Sequence, residues 1–313
     1  MRVAMTGGGG FLGSHLLARM IGAGSVVTLL GPDLGPSRYT ASIVAAGHAR
    51  FLRCDPGFTD SAALQAAADA DVLVVLDSPP GPATSRPERL VDEIEVNLTP
   101  LVSLLSAFAS RGGHVLFASS GAVYGDPGRT PARESDLPRP RSTFAVAKLA
   151  CEYALRVCSP TSTVSILRYG RIYGPGESGS HAIPTLIRAA LTGEAPEVVG
   201  DGSDEHDYVH IADAVAATMS ALTKRADGVY NVGTGIGTTM IELASLVVWL
   251  TGCSAAPVRR AADRASTRGS LVLDTSRAHS DLAFEPRHVL AEGLKEEIGW
   301  LKATLESNLK SAA

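Results

Sequence analysis

Apolar residues gather into short continuous runs along this chain, separated by longer stretches with helical spacing. Val3-Ala4-Met5-Thr6, residues 26–30, Phe51-Leu52 and residues 72–76, 115–118 and 164–167 read as six strands. Short apolar runs bounded by turn residues suit strands buried on both faces. Residues 14–21, 61–68, 88–110 and 144–157 read as helices between or after them. Strand and helix alternate throughout, which predicts an α/β fold built on a doubly wound parallel sheet with helices on both faces.

The rhythm changes after Tyr169. Glycine and proline crowd Gly174-Pro175-Gly176 and Gly200-Asp201-Gly202, and the elements between them shorten. The expected organisation is a dinucleotide-binding core over 1–170 and a smaller, irregular C-terminal substrate lobe over 171–313. Residues at about 211–250, including 229–232 and the helix at 239–250, should return to the core. A final amphipathic helix at 291–305 closes the chain. With no low-complexity linker and no repeat, the two lobes should fold as one unit around a cleft.

Composition narrows the picture. The 313 residues are 45% hydrophobic and 19% charged, the balance of a globular protein able to bury a large core. A net charge of −4 argues against nucleic acid as a partner. No apolar run is long enough to span a bilayer. Met1 to Met5 run straight into a strand and a glycine loop, so no signal peptide is expected and the location is read as cytoplasmic. Cys54, Cys151, Cys158 and Cys253 are scattered, no histidines pair at a ligand spacing, and no metal is expected.

Chemistry enters at Gly7-Gly8-Gly9-Gly10-Phe11-Leu12-Gly13, directly after the first strand and opening the first helix. Gly7 allows the tight turn, Gly10 the approach of a pyrophosphate and Gly13 close helix packing, while Phe11 and Leu12 open the helix whose free N–H groups face phosphate. This is a Rossmann-type dinucleotide loop. The end of the second strand offers Leu30-Gly31-Pro32, with Asp33 late and Arg38 nearby. A missing acid beside an arginine favours the 2′-phosphate of NADP(H), with NAD(H) the alternative if Asp33 curls back. Asp55 joins the cofactor-binding candidates.

The Thr6–His15 stretch resembles the opening of the extended short-chain dehydrogenase/reductases, the NAD-dependent epimerase/dehydratase family. Further matches follow in order: Ala118-Ser119-Ser120-Gly121-Ala122-Val123-Tyr124-Gly125, then Leu167-Arg168-Tyr169-Gly170-Arg171-Ile172-Tyr173-Gly174-Pro175. Gly200-Asp201-Gly202, His206-Asp207-Tyr208-Val209-His210-Ile211-Ala212-Asp213 and Tyr230-Asn231-Val232-Gly233 complete the set. The resemblance implies a Ser/Thr, Tyr and Lys, with Tyr and Lys one helical turn apart. The lysine holds the nicotinamide ribose and the tyrosine passes a proton while hydride moves. Ser120 and Lys148 match their positions. Phe144 stands at the tyrosine. Two further departures concern substrate. His206 replaces the arginine that grips a sugar diphosphate, and Arg171, a compensating charge, replaces the usual asparagine. The strand-four end, Leu76-Asp77-Ser78-Pro79-Pro80, also differs from the family's small apolar turn.

Three functions compete. One is an NAD(P)H-dependent ketoreductase of an aromatic polyketide-like ketone, similar in kind to an angucyclinone ketoreductase of the superfamily that lacks the tyrosine. There the proton comes from the substrate or water, and Phe144 walls a flat ring. The second is a nucleotide-sugar epimerase, dehydratase or 4-ketoreductase using Tyr124, Lys148 or water. The third is a catalytically dead dinucleotide-binding module. Tyr124, Phe144, Arg171, His181, His206 and Ser120 are the substrate-side candidates. Tyr124 has packing, and Ser120 loop capping, as the plainer alternative. The resemblance also implies a possible homodimer through helices 88–110 and 144–157, where Ala145, Ala147, Ala150 and Ala154 permit close contact.

Overall fold

A computed structural model describes residues 1–77, 87–108, 112–125, 127, 130–177, 181–261 and 269–312 of the chain. Ser78, Pro79, Pro80 and residues 109–110 of the expected helix lie outside the described residues. Seven parallel strands form the main sheet: β1 (Arg2–Thr6), β2 (Val26–Gly31), β3 (Arg50–Arg53), β4 (Val72–Val75), β5 (His114–Ser120), β6 (Thr163–Tyr169) and β10 (Gly228–Val232), in the order β10-β6-β5-β4-β1-β2-β3. The inner strands read as unbroken buried runs, Val72–Val75 and Val3–Thr6 among them, because helices cover both faces.

One face packs α1 (Phe11–Gly22) and α7 (Ile211–Lys224) around Leu16, Leu17, Met20, Ala214 and Ala217. The other packs α3 (Ser61–Asp69), α4 (Pro87–Phe108) and α5 (Thr143–Cys158) around Ala63, Leu101, Leu104, Phe108 and Leu155. A short helix absent from the expectation, α2 (Arg38–Ala45), lies between β2 and β3, its first turn capped by the Ser37 hydroxyl.

The smaller lobe holds β7 (Arg171–Tyr173), β8 (Glu197–Val199), β9 (Glu205–His210), β11 (Gly237–Thr239) and β12 (Val258–Arg260), paired as a three-stranded and a two-stranded sheet. Its helices are α6 (Ala182–Leu191), α8 (Met240–Thr251) and α10 (Leu290–Ala312), packed through Ile187, Leu243, Val247, Leu294 and Leu301. The expected return of 229–232 to the main sheet is seen, as β10. The helix at 239–250 does not return: α8 packs on α6 and α10, which its apolar surface on nearly every side equally allows. A short helix, α9 (Ser276–Leu282), goes back to α7 and β10. Among the described residues no helix is long and apolar enough to cross a membrane.

Candidate active site

β1 delivers the chain into a left-handed Gly7 (φ +69°) at the junction with β4, where a Cβ would lie 2.9 Å from the Asp77 N–H nitrogen. Strand order reverses between β1 and β4, the crevice where open α/β sheets bind ligands. A Cβ at Gly13 would collide with the Gly7 carbonyl, and one at Gly9 with the carbonyl of Leu34. Gly10 caps α1 with no side chain over the helix end and no acid in the first turn. The N–H groups of Phe11, Leu12 and Gly13 therefore open a helix terminus whose positive end suits a pyrophosphate.

Lys148 sits beside this loop, 2% exposed, its Nζ donating to the Asp77 carbonyl at 2.8 Å. The rings of Phe117 and Phe144 lie 4.9 and 5.8 Å from that nitrogen. Burial draws the ammonium down to about 8, against the pull of Cys151, Asp77 and Glu93. The Asp77 carboxyl is raised by its own burial, opposed by the Thr6 hydroxyl and Lys148. Ser120 ends β5 half-buried, its Oγ accepting from the Ala122 N–H at 3.1 Å as cap of a one-turn 3₁₀ segment. The plainer role is thus present, and its O–H still has a proton to donate.

Tyr124 ends the one-turn segment that Ser120 caps. It is fully buried and its hydroxyl donates to Asn231 Oδ1 at 2.7 Å, with Arg168 over its ring. Arg168 in turn clamps Glu152 at 2.6 and 3.0 Å, so this corner holds β5, β6 and α5 together beneath the cleft.

In the smaller lobe Arg171 and His206 meet, Nη2 to Nε2 at 3.1 Å, so the imidazole nitrogen accepts from the guanidinium. The Gly174–Glu177 turn lies over α1: His15 Nε2 is 2.9 Å from the Pro175 carbonyl. His181 caps α6, largely exposed, with Nδ1 2.8 Å from Glu177 Oε1. Behind it, the buried carboxyls of Glu177 and Glu297 face each other, and Glu297 Oε2 accepts from the Gly174 N–H at 3.0 Å. Sequence reasoning missed this pair, whose members stand 120 positions apart in the chain. Among the described residues no group of three or more His, Cys, Asp or Glu is arranged to hold a metal ion.

The profile of the NAD dependent epimerase/dehydratase family matches residues 3–233. The chain belongs to this family. It is 30% identical to a UDP-glucose 4-epimerase of Mycolicibacterium smegmatis, covering 96% of this chain and 99% of that protein. It is 28% identical to a dTDP-4-dehydro-6-deoxy-D-allose reductase of Streptomyces sp, over 96% of each. Among solved structures, a UDP-glucuronic acid 4-epimerase from Bacillus cereus, with UDP-glucuronic acid and NAD, superposes with a TM-score of 0.87. It is 26% identical, over 97% of this chain and 100% of that one. A tyrosine-to-phenylalanine variant of that epimerase was solved with NAD and a fluorinated substrate analogue.

These relatives correct the cofactor. The Bacillus cereus epimerase, MoeE5 and a UDP-glucose 4-epimerase of Thermus thermophilus were all solved with NAD, which makes NAD and not NADP(H) the cofactor expected here. Arg38 is exposed at the start of α2, while the Asp33–Gly35 turn folds back against Gly9, with Asp33 Oδ1 accepting from the Gly35 N–H at 2.7 Å. The start of α2 also meets the loop, the Ser37 N–H and the Thr40 hydroxyl donating to the Gly9 and Gly8 carbonyls at 3.2 and 2.9 Å. Asp55 is spent locally, its carboxylate accepting from the N–H groups of Gly57, Thr59 and Asp60. The family enzyme is therefore an NAD-binding one of oxidoreductase type.

Proposed function

We propose that this enzyme acts on a nucleoside-diphosphate sugar, oxidising or reducing a sugar carbon with NAD held on the glycine loop. The observation that carries this reading is the Arg171–His206 contact. It brings a guanidinium against position 206, where the family places the arginine that holds the diphosphate. The curated relatives, which include epimerases, a reductase and dehydratases of UDP- and dTDP-sugars, point the same way. Gly7, Gly10, Gly13 and the first turn of α1 would hold the pyrophosphate, and Lys148 the nicotinamide ribose. Bound there, NAD supplies a hydride acceptor or donor. Ser120 orients the sugar oxygen, and Phe144 packs against the ring.

The aromatic-ketone reading rests on Phe144 beside the kept Ser120, Lys148 and glycine loop, with His206 counting against a sugar diphosphate. The Bacillus cereus variant weakens it, since a tyrosine-to-phenylalanine change there is compatible with NAD and a sugar analogue together. Calorimetry with UDP-glucose, UDP-glucuronic acid and dTDP-glucose should show binding that Arg171→Ala weakens about tenfold or more, as for a lost charge-assisted contact. Reduction of hydroxy-aromatic ketones by NADH, with no sugar-nucleotide binding, would reverse the assignment.

We further propose a cytoplasmic homodimer through α4 and α5, with no nucleic-acid partner. Its support is apolar surface that these helices leave exposed, at Tyr153 and Val157 on α5 and at Val91, Val96 and Val102 on α4, which a second copy would cover. A sedimentation mass of one chain, or unchanged self-association in Val157→Glu, would exclude that interface.

A further inference from the structure

With phenylalanine at position 144 the family's proton carrier is gone, and the candidates to replace it can be taken in turn. The Tyr124 hydroxyl is fully buried and given to Asn231. The Nε2 of His206 is taken by Arg171. The Asp77 side chain lies at the dinucleotide turn, its Oδ1 3.1 Å from where a Gly7 Cβ would stand. Lys148 is different. It lies one helical turn from Phe144, and among the described residues its Nζ donates to a backbone carbonyl, with the rings of Phe117 and Phe144 4.9 and 5.8 Å away.

We infer that Lys148 is the proton donor and acceptor of this site, reaching the substrate oxygen through a water in the room left by the absent phenol oxygen. The inference rests on the sugar-nucleotide reading above only for the identity of the substrate. Phe144 is half-buried and its ring centroid lies 5.8 Å from the Lys148 Nζ, which puts the position of the family's phenol beside the ammonium. The water would have the partners it needs in the Lys148 ammonium, the Ser120 hydroxyl and the substrate oxygen.

The groups facing the ammonium are Cys151 from α5, Asp77 from the end of β4 and Glu93 from α4, with the Phe117 ring of β5. The Cys151 thiol is itself pushed up to about 11 and stays neutral through the relevant range. Burial outweighs the two carboxylates and leaves the lysine titrating at about 8, close enough to neutrality for proton transfer both ways.

The bonds balance as follows. In oxidation the substrate O–H breaks, its proton crosses the water to a neutral Lys148 amine, and the freed electron pair closes the C=O bond as the carbon's hydrogen departs as hydride to NAD. In reduction each bond change reverses, and the ammonium gives up the proton.

The test compares wild type, Lys148→Arg, Phe144→Tyr and the double variant. Arginine keeps the charge and the donors but does not titrate below about pH 12. Calorimetry sets the NAD concentration that saturates Lys148→Arg, whose affinity falls with the altered ribose contact, and single-turnover rates at that saturation should drop about a hundredfold or more. Adding Phe144→Tyr to Lys148→Arg should recover at least about tenfold, because the phenol restores a proton carrier. Independently of turnover, ¹⁵N NMR of lysine-labelled protein should find one Nζ titrating near pH 8 that vanishes in Lys148→Arg. Lys148→Arg turning over like wild type with the same pH profile overturns the inference. So does a Lys148 ammonium that stays charged to pH 10. Failure of every variant on sugar nucleotides would instead sink the substrate reading, and the same four proteins compared on aromatic ketones would then decide the lysine's role.

Discussion

Replacing Glu297 by glutamine should make this protein more stable near and above neutral pH. Glu297 is fully buried and faces the buried Glu177, with one oxygen of each, Glu297 Oε1 and Glu177 Oε2, lacking a hydrogen-bond partner among the described residues. Burial and the second carboxyl raise Glu297 from 4.5 to about 9, so the folded protein keeps it protonated while an unfolded chain releases the proton. For an acid raised on folding, the contribution is full below pH 4.5 and is lost as pH climbs toward 9. At pH 7 the loss covers 2.5 pH units, which at about 1.4 kcal/mol each amounts to up to about 3 kcal/mol. Glutamine removes the proton requirement. Its carbonyl still accepts from the Gly174 N–H, and its NH₂ can donate to an ionised Glu177. Thermal and urea melts from pH 4.5 to 9 should show the two proteins equal at the acid end. The variant should gain with rising pH and melt about 5 °C higher at pH 8. Parallel pH profiles, or a variant weaker than wild type at pH 8, would mean that the carboxyls do not share a proton.

Other outcomes follow from features away from that pair. Gly13→Ala should abolish NAD binding in calorimetry and lower stability by about 1–3 kcal/mol, because the new Cβ collides with the Gly7 carbonyl. Arg168→Met should cost about 3–5 kcal/mol in urea unfolding by leaving the buried Glu152 carboxylate unpaired, apart from its bond from Ser119. Tyr124→Phe should lose about 1–2 kcal/mol of stability with unchanged KM, since its hydroxyl serves Asn231 and not the substrate.

Much of the core was legible because its signals are local. Apolar runs of strand length, a glycine loop against a first helix and a lysine one turn from position 144 sit within a few residues of one another. The smaller lobe was less so. Its strands are three to six residues long and its sheets join residues far apart, as in the register of Arg171 with Tyr208 or of Val258 with Glu197. The meeting of Arg171 with His206, and of Glu177 with Glu297, depends on that packing and leaves no periodic trace. The cofactor preference failed for a related reason. Gly31-Pro32 breaks the strand, and the fold brings both the Asp33–Gly35 turn and the start of α2, which carries Arg38, against the glycine loop, so counting residues past β2 does not choose between them.

The seventh strand of the main sheet arrives late. β6 ends at Tyr169 and its neighbour β10 begins at Gly228, with about 60 residues of the other lobe and of α7 between them. On a ribosome adding roughly 5–20 residues per second, the far edge of β6 stays unpaired for about 3–12 s after it emerges. Its backbone N–H and C=O groups, flanked by Val164, Ile166 and Leu167, form a sticky template during that interval. A chain truncated within that stretch would keep this edge open permanently and should aggregate more readily than the full-length protein.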